Sequence, residues 1–400
     1  MTSMQHKFGA LDLIRAGLQD LDRARTLFDE LHNDGIDDDR MRLLLATLEK
    51  ACDPDIALSN LVDIIKVMQS QGKDFTNIIA DENSFVRLIT VLGVSDEMGK
   101  LMRFRPELVE AAANDACESH LYNHEQRRAH VLKSVGADPN DHTMPTASLP
   151  LAEAATALRK TYRKQLAAIM AQDATANDPI EIQPRISTEL SDLADAALEG
   201  ALAIARHEVD GSEHVRFAII GMGKLGAQEL NYVSDVDLIY VVEPADMDTN
   251  GMALSRIGTK MATTLQRVCQ SVIMGVAEPT LWQIDGGLRP EGKDGPLVRR
   301  LESHEAYYEQ WAENWEFQAL LKARPVAGDT DLGQAYMDMT RPFVWTASKR
   351  DNFVYDCQQM RKRVEDLIPN PLKDREIKLG RGGLRDVEFT VQMLQLVHGR

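Results

Sequence analysis

Two aspartates one residue apart, Asp235 and Asp237, follow a turn that carries Gly221, Gly223, Lys224 and Gly226 within six residues, in the stretch GMGKLGAQELNYVSDVDLIYV. The apolar run that starts at Asp237 has the composition of a strand, and strand side chains at i and i+2 project from one side, so both carboxylates share a face while Val236 turns into the core. Carboxylates forced together repel unless a cation lies between them. Oxygen-only ligands suit a hard ion such as magnesium, which takes one or two carboxylates and completes its octahedron with water and phosphate oxygens. Glycines ahead of the pair then have a use, because a turn without side chains lets backbone N–H groups approach a phosphate closely. A D-x-D pair also arises in acidic chains with no ligand at all, so its surroundings decide.

Those surroundings favour the ligand. VRFAII, Val215 to Ile220, reads as a buried strand entering the turn, and DLIYVV, Asp237 to Val242, as the next strand. A dinucleotide fingerprint is excluded, since it would open a long crossover helix with an acid roughly 20 positions on. Farther along, LWQIDGGLRPEGKDGPL ends an apolar run at Asp285 and enters a glycine- and proline-rich loop. Two-metal phosphoryl or nucleotidyl transfer needs a third carboxylate directed at the same ions, and Asp285 at a strand end is placed to supply it. Arg289 and Lys293 in the loop are candidates to clamp phosphate oxygens, Arg through paired bonds and Lys as a point charge. Ser234, next to the aspartate pair, joins Gly221, Gly223, Lys224 and Gly226 as a candidate phosphate or nucleotide contact.

The rest of the chain must position this unit. The 400 residues are enough for two or three domains. With 62 acidic against 45 basic residues the net charge is −17, which argues against a general nucleic-acid surface and for a nucleotide-like or protein substrate. Cys52, Cys117, Cys269 and Cys357 are far apart and form no C-x-x-C, as expected of reduced thiols in a cytoplasmic protein. Neither a signal peptide nor a membrane-spanning run is legible. From Leu11 to about Val135 apolar residues recur at helical spacing, broken at HNDGIDDD and CDPD. Gly136 to Pro150 reads as a linker. Two helices follow, 151–173 and 189–208, then the strands, with a further helix over 253–273. From His304 to Asp329 a helix is expected, with Tyr307, Trp311, Trp315 and Leu320 on a core-facing stripe and Lys322 and Arg324 complementing its C-terminal dipole. KLGRGGLRDVEF pairs a second glycine turn, Gly380 to Gly383, with Arg385, Asp386 and Glu388. Helix initiation accounts for the acids, and an anion held by these glycines stays open. The expected divisions are 1–150, 151–330 and 331–400.

Strand, glycine turn, short helix and a D-x-D strand resemble the nucleotidyltransferases of the DNA polymerase β superfamily. More specifically, GMGKLGAQELNYVSDVDLIYV, DGGLRPEGKDGPL, WEFQALLKARPVAGD and GRGGLRDVEFTVQMLQLVHG resemble the glutamine synthetase adenylyltransferase and adenylyl-removing family, in its actinobacterial form. The resemblance implies an α+β fold, mainly helical, with a polymerase β-like sheet domain flanked by helical regions. It implies two catalytic units in a longer chain, of which this is the N-terminal one. That unit removes AMP from a tyrosine of adenylylated glutamine synthetase by phosphorolysis and releases ADP. It further implies Asp235, Asp237 and Asp285 as ligands of two magnesium ions, with manganese able to substitute, and ATP or ADP, inorganic phosphate and a PII signal protein as partners, without nucleic acid or membrane. Lys224 stands where the wider superfamily places a small hydroxyl residue, so charge replaces a hydroxyl there. The other readings are AMP transfer from ATP by the same site, and a non-catalytic module sensing nucleotide or PII.

Overall fold

The computed structural model describes residues 8–73, 75, 78, 81–113, 122–246, 251–373 and 375–399. These form two compact units, Met1–Arg127 with Lys160–Leu193, and Arg128–Arg159 with Ala194–Arg400. Cys52, Cys269 and Cys357 are free thiols; Cys117 lies outside the described residues. No helix among the described residues is long and apolar enough to cross a membrane.

The first unit is helical, and its acidic breakers are helix caps. Asp37 accepts from the backbone N–H groups of Asp39 and Arg40 at the start of Asp38–Leu48, and Asp53, followed by Pro54, accepts from Ile56 at the start of Pro54–Ser70. Asp20, Asp81 and Ser95 begin three more helices in the same way. Each cap satisfies amide donors that the first turn leaves without partners. Between the helices Leu44, Leu58, Leu61, Phe85, Leu88 and Met102 form a core closed to solvent. The expected gap between two helices at 174–188 is mostly helix: Pro179–Glu208 is continuous, with Pro184 inside it. Asp178 caps its start through the N–H groups of Ile180 and Glu181, so the helix begins before Pro184 rather than after it.

The second unit holds one small mixed sheet. β1 (Val215–Met222) pairs antiparallel with β2 (Val236–Pro244) and with β5 (Arg324–Gly328). Two short strands, β3 (Ile284–Asp285) and β4 (Val298–Arg299), lie parallel to β2, and the order is β3-β2-β1-β5. Alternation along β1 and β2 divides the residues between two faces. Ala218, Ile220, Ile239 and Val241 form one, packed with Tyr308, Phe317, Leu332, Tyr336, Phe353 and Leu396 from the helices between Leu301 and His398. The opposite parity includes Val242, against which Gly258 of the Gly251–Gln270 helix packs so closely that a Cβ would lie 3.0 Å from a Val242 methyl.

Three expectations change here. The third strand is only Ile284–Asp285, because Leu281 to Gln283 lack ladder pairing. The helix expected from His304 to Asp329 stops at Gln310, resumes over Asn314–Leu320, and gives way to β5. That break turns Trp311 out to 74% exposure instead of into the core. The expected linker is pinned down: Arg128 donates to the carbonyls of Pro139 and Asp141, Arg206 donates to that of Pro145, and Ala147 N–H donates to that of Ala203.

Candidate active site

Asp237 sits opposite Met222 across the β1–β2 ladder and in parallel register with Asp285 on β3. Neighbours in register project from the same side of a sheet, so the two carboxylates meet on one face. Asp237 has the parity of Ile239 and Val241, which assigns that face to the side covered by the C-terminal helices. Asp235 and Asp285 are exposed while Asp237 is half-buried. Burial, reinforced by the charges of Asp235 and Asp285, raises the Asp237 carboxyl from its ordinary 3.8 to about 6; Arg385 and Lys378 pull it partway back. An acid held half-protonated near pH 6 by burial and by like charges is an arrangement that a divalent cation would relieve.

The glycine turn is shaped around this acid. Gly223 has φ +55°, and a Cβ there would lie 2.6 Å from Asp237 Oδ2, so both backbone conformation and the carboxylate require glycine. Gly226, at the end of the short Gly223–Gly226 helix, would put a Cβ 1.8 Å from the Lys322 carbonyl oxygen. Gly221 is buried on β1 opposite Leu238. Lys224 donates to Asn231 Oδ1 at 2.9 Å, across the loop that leads to Ser234 and Asp235. Ser234 is half-buried directly before the aspartate pair.

In the loop after β3, Asp285 Oδ1 accepts from Gly287 N–H at 2.7 Å, which fixes its carboxylate. Arg289 donates to the carbonyls of Gly286, Lys293 and Gly295. Its guanidinium thus braces its own loop in this conformation, a role that spacing alone did not suggest. Lys293 is exposed on the Gly292–Asp294 turn. Arg324, expected to complement a helix dipole, lies on β5; it grips Asp195, 1% exposed, with two bonds and also donates to the carbonyls of Leu225 and Gly226. It anchors the far end of the glycine turn.

The cations that act on Asp237 were missed in the choice of site residues. Lys378 and Arg385 come from the second glycine block, whose presence was noted but whose position could not be read from spacing. Beside the first glycine turn a cavity of about 750 Å³ is lined by Lys224, Gly226, Lys322, Trp345, Leu384 and Glu388, so that block and the first turn share one surface.

Comparison with known proteins gives the family. The family model described as glutamate-ammonia ligase adenylyltransferase matches residues 85–339, and that of GlnD PII-uridylyltransferase matches residues 358–400. The bifunctional glutamine synthetase adenylyltransferase/adenylyl-removing enzyme of Bifidobacterium longum strain DJO10A is 76% identical over 400 residues, covering 100% of this chain and 37% of the relative. The proteins of the same name from Cutibacterium acnes and Streptomyces avermitilis are 43% and 41% identical, over 98% and 97% of this chain and 39% and 36% of their own lengths. The chain therefore spans well under half of the curated relatives it matches, in their N-terminal part. A sheet with two faces, an aspartate pair at the start of β2 and a family match across β1 to β5 lead to one assignment: the chain belongs to the glutamate-ammonia ligase adenylyltransferase family.

Proposed function

We propose that this chain is the adenylyl-removing unit of its family, cleaving AMP from a tyrosine of adenylylated glutamine synthetase by phosphorolysis. The observation that carries the reading is the register of Asp237 with Asp285, next to Asp235, on the one sheet face that a substrate phosphate would share with cations. The match to the N-terminal part of the bifunctional relatives favours removal over addition of AMP.

The three carboxylates suit two magnesium ions, or manganese in their place, because the donors are all oxygen and Gly223 leaves the gap beside Asp237 free of a side chain. Such ions, when bound, supply Lewis-acid polarisation and neutralise charge at phosphorus. Asp285 is held to its turn by the Gly287 amide and Asp237 to the ladder by its neighbours, so both present fixed oxygens without reorganisation. Lys224 contributes positive charge at the turn, and Arg289 keeps the loop that bears Asp285 in shape. An oxygen of hydrogen phosphate attacks the AMP phosphorus, the bond from phosphorus to the tyrosyl oxygen breaks, and the phosphate proton ends on that oxygen. The products are ADP and unmodified tyrosine. The segment 151–330 carries the carboxylates, 331–400 closes their face, and 1–150 is a helical region apart from the chemistry.

The test incubates the chain with adenylylated glutamine synthetase, magnesium and phosphate and identifies the nucleotide released. ADP that appears only with phosphate is expected. AMP released in phosphate-free buffer would mean hydrolysis, and efficient AMP transfer from ATP to unmodified glutamine synthetase would assign the opposite direction.

A further inference from the structure

Three carboxylates on one face repel an incoming phosphate, and the second glycine block sets cations of the protein's own against that repulsion. Asp386 organises that block: it accepts from Gly382 N–H at 2.5 Å and from Arg361 Nε, while Arg361 Nη2 also donates to the Gly380 carbonyl at 2.9 Å. The Arg385 amide donates to the Lys378 carbonyl at 2.9 Å, so the two residues are neighbours on the backbone. Arg385 Nη1 then donates to Glu388 Oε2 at 2.8 Å, Lys322 donates to Glu388 Oε1 at 2.8 Å, and Lys322 also donates to Glu229 at 2.8 Å. This relay of ion pairs runs from the first glycine turn to the Leu384–His398 helix and fixes where Arg385 can point. Only one Arg385 nitrogen is spent on it. Its Nε is buried and has no hydrogen-bond partner among the described residues; such a donor costs stability until an acceptor arrives. Lys378 is exposed, and Leu384 and Glu388, on either side of Arg385 in the sequence, line one cavity with Lys224 and Gly226 of the first glycine turn, whose Gly223 lies against Asp237.

We propose that Arg385, with Lys378 beside it, binds the non-bridging phosphate oxygens of the anionic substrate at the aspartate cluster, and that Glu388 and Lys322 are positioning residues for Arg385. A guanidinium fork matches two phosphate oxygens, while an ammonium adds a point charge. The assignment rests on Asp235, Asp237 and Asp285 being the reaction site. The phosphate oxygens belong either to free phosphate or to a nucleotide, and two measurements separate these sources: the KM for inorganic phosphate in phosphorolysis, and the affinity of the chain for ADP with magnesium by titration calorimetry.

R385Q is expected to weaken at least one of the two by about tenfold or more, since a charged hydrogen-bond partner is lost. A rise in phosphate KM alone places the attacking phosphate on Arg385; a fall in ADP affinity places the nucleotide there. R385K keeps the charge but not the fork, so its loss is smaller. E388Q raises the same KM with kcat nearly unchanged, a split that general loosening of the fold would not give. K378Q guards against a folding artefact, because this exposed side chain supports nothing structural; about a threefold loss is expected from one exposed point charge. Thermal stabilisation by manganese stays at the parental level in R385Q. The proposal is overturned if R385Q and K378Q leave both phosphate KM and ADP affinity within about twofold of the parent. D235N separates the two readings: if it is inactive while R385Q is normal, only this inference fails, and if D235N retains turnover the site itself lies elsewhere.

Discussion

Replacing Asp237 by asparagine should make the metal-free chain more stable, and the gain should depend on pH. Folding raises this carboxyl from 3.8 to about 6, so between those values the folded state binds more protons than the unfolded one. Stability then falls as pH rises through that window. The penalty is absent well below 3.8, reaches about 1.5 kcal/mol at pH 5, and is complete at about 3 kcal/mol by pH 8. An asparagine carries none of it. D237N should therefore unfold at higher urea than the parent in the presence of a chelator, by about twice the free-energy margin at pH 8 as at pH 5. Adding manganese narrows the variant's lead. A cation at 100 times its dissociation constant stabilises the parent by about 2.7 kcal/mol, and the variant, lacking a ligand, gains less. A D237N chain that is less stable than the parent without metal, or whose advantage is equal at pH 5 and pH 8, would refute the idea that folding buries this acid beside like charges.

Gly223→Ala should cost about 1–2 kcal/mol in backbone strain alone and abolish turnover, because the methyl group would press on Asp237. Gly382→Ala, also at positive φ but with open space around its Cβ position, should show the strain cost in urea unfolding without a collapse of activity. Arg324→Ala should lower unfolding free energy by about 3 kcal/mol, because it removes two charged hydrogen bonds to the buried Asp195 carboxylate; a loss below about 1 kcal/mol would mean that the pair is solvent-screened. Duplex DNA and RNA should bind weakly or not at all at moderate salt, as mobility shifts would register, and tight salt-sensitive binding would contradict the reading of the acidic surface.

The parts of this fold that announce themselves in the sequence are those where composition and period agree. β1 and β2 are runs of β-forming residues with a glycine turn between them, and the two-residue period alone puts Asp235 and Asp237 on one side. Asp285 was legible as the end of an apolar run, although its strand has only two residues. β5 was not legible, because Arg-Pro-Val-Ala-Gly is short and contains a proline and a glycine, which usually break strands; its pairing with β1 supplies what local propensity lacks. Pro184 hid the start of a long helix, whose true signal was the cap at Asp178. Trp311 followed the helical period on paper, but the chain leaves the helix there, and no periodicity argument survives a break. Lys378 and Arg385 illustrate the deeper limit. Their block stood out, yet nothing local reveals which sheet face a helix more than a hundred positions downstream will cover.

That covering has a consequence for how the molecule comes into being. The strands that carry the aspartates are complete once Gly328 has been made, whereas the helices over their face, with the Leu384–His398 segment last, are made afterwards. On the ribosome the acidic cluster would thus spend a period as an open, solvated shelf that Lys378 and Arg385 have yet to reach. Each later helix removes water from the shelf, and the final one delivers Arg385. The site's cations thus arrive in the order of translation, and a nascent chain halted before residue 378 would contain β1 to β5 but lack both Lys378 and Arg385.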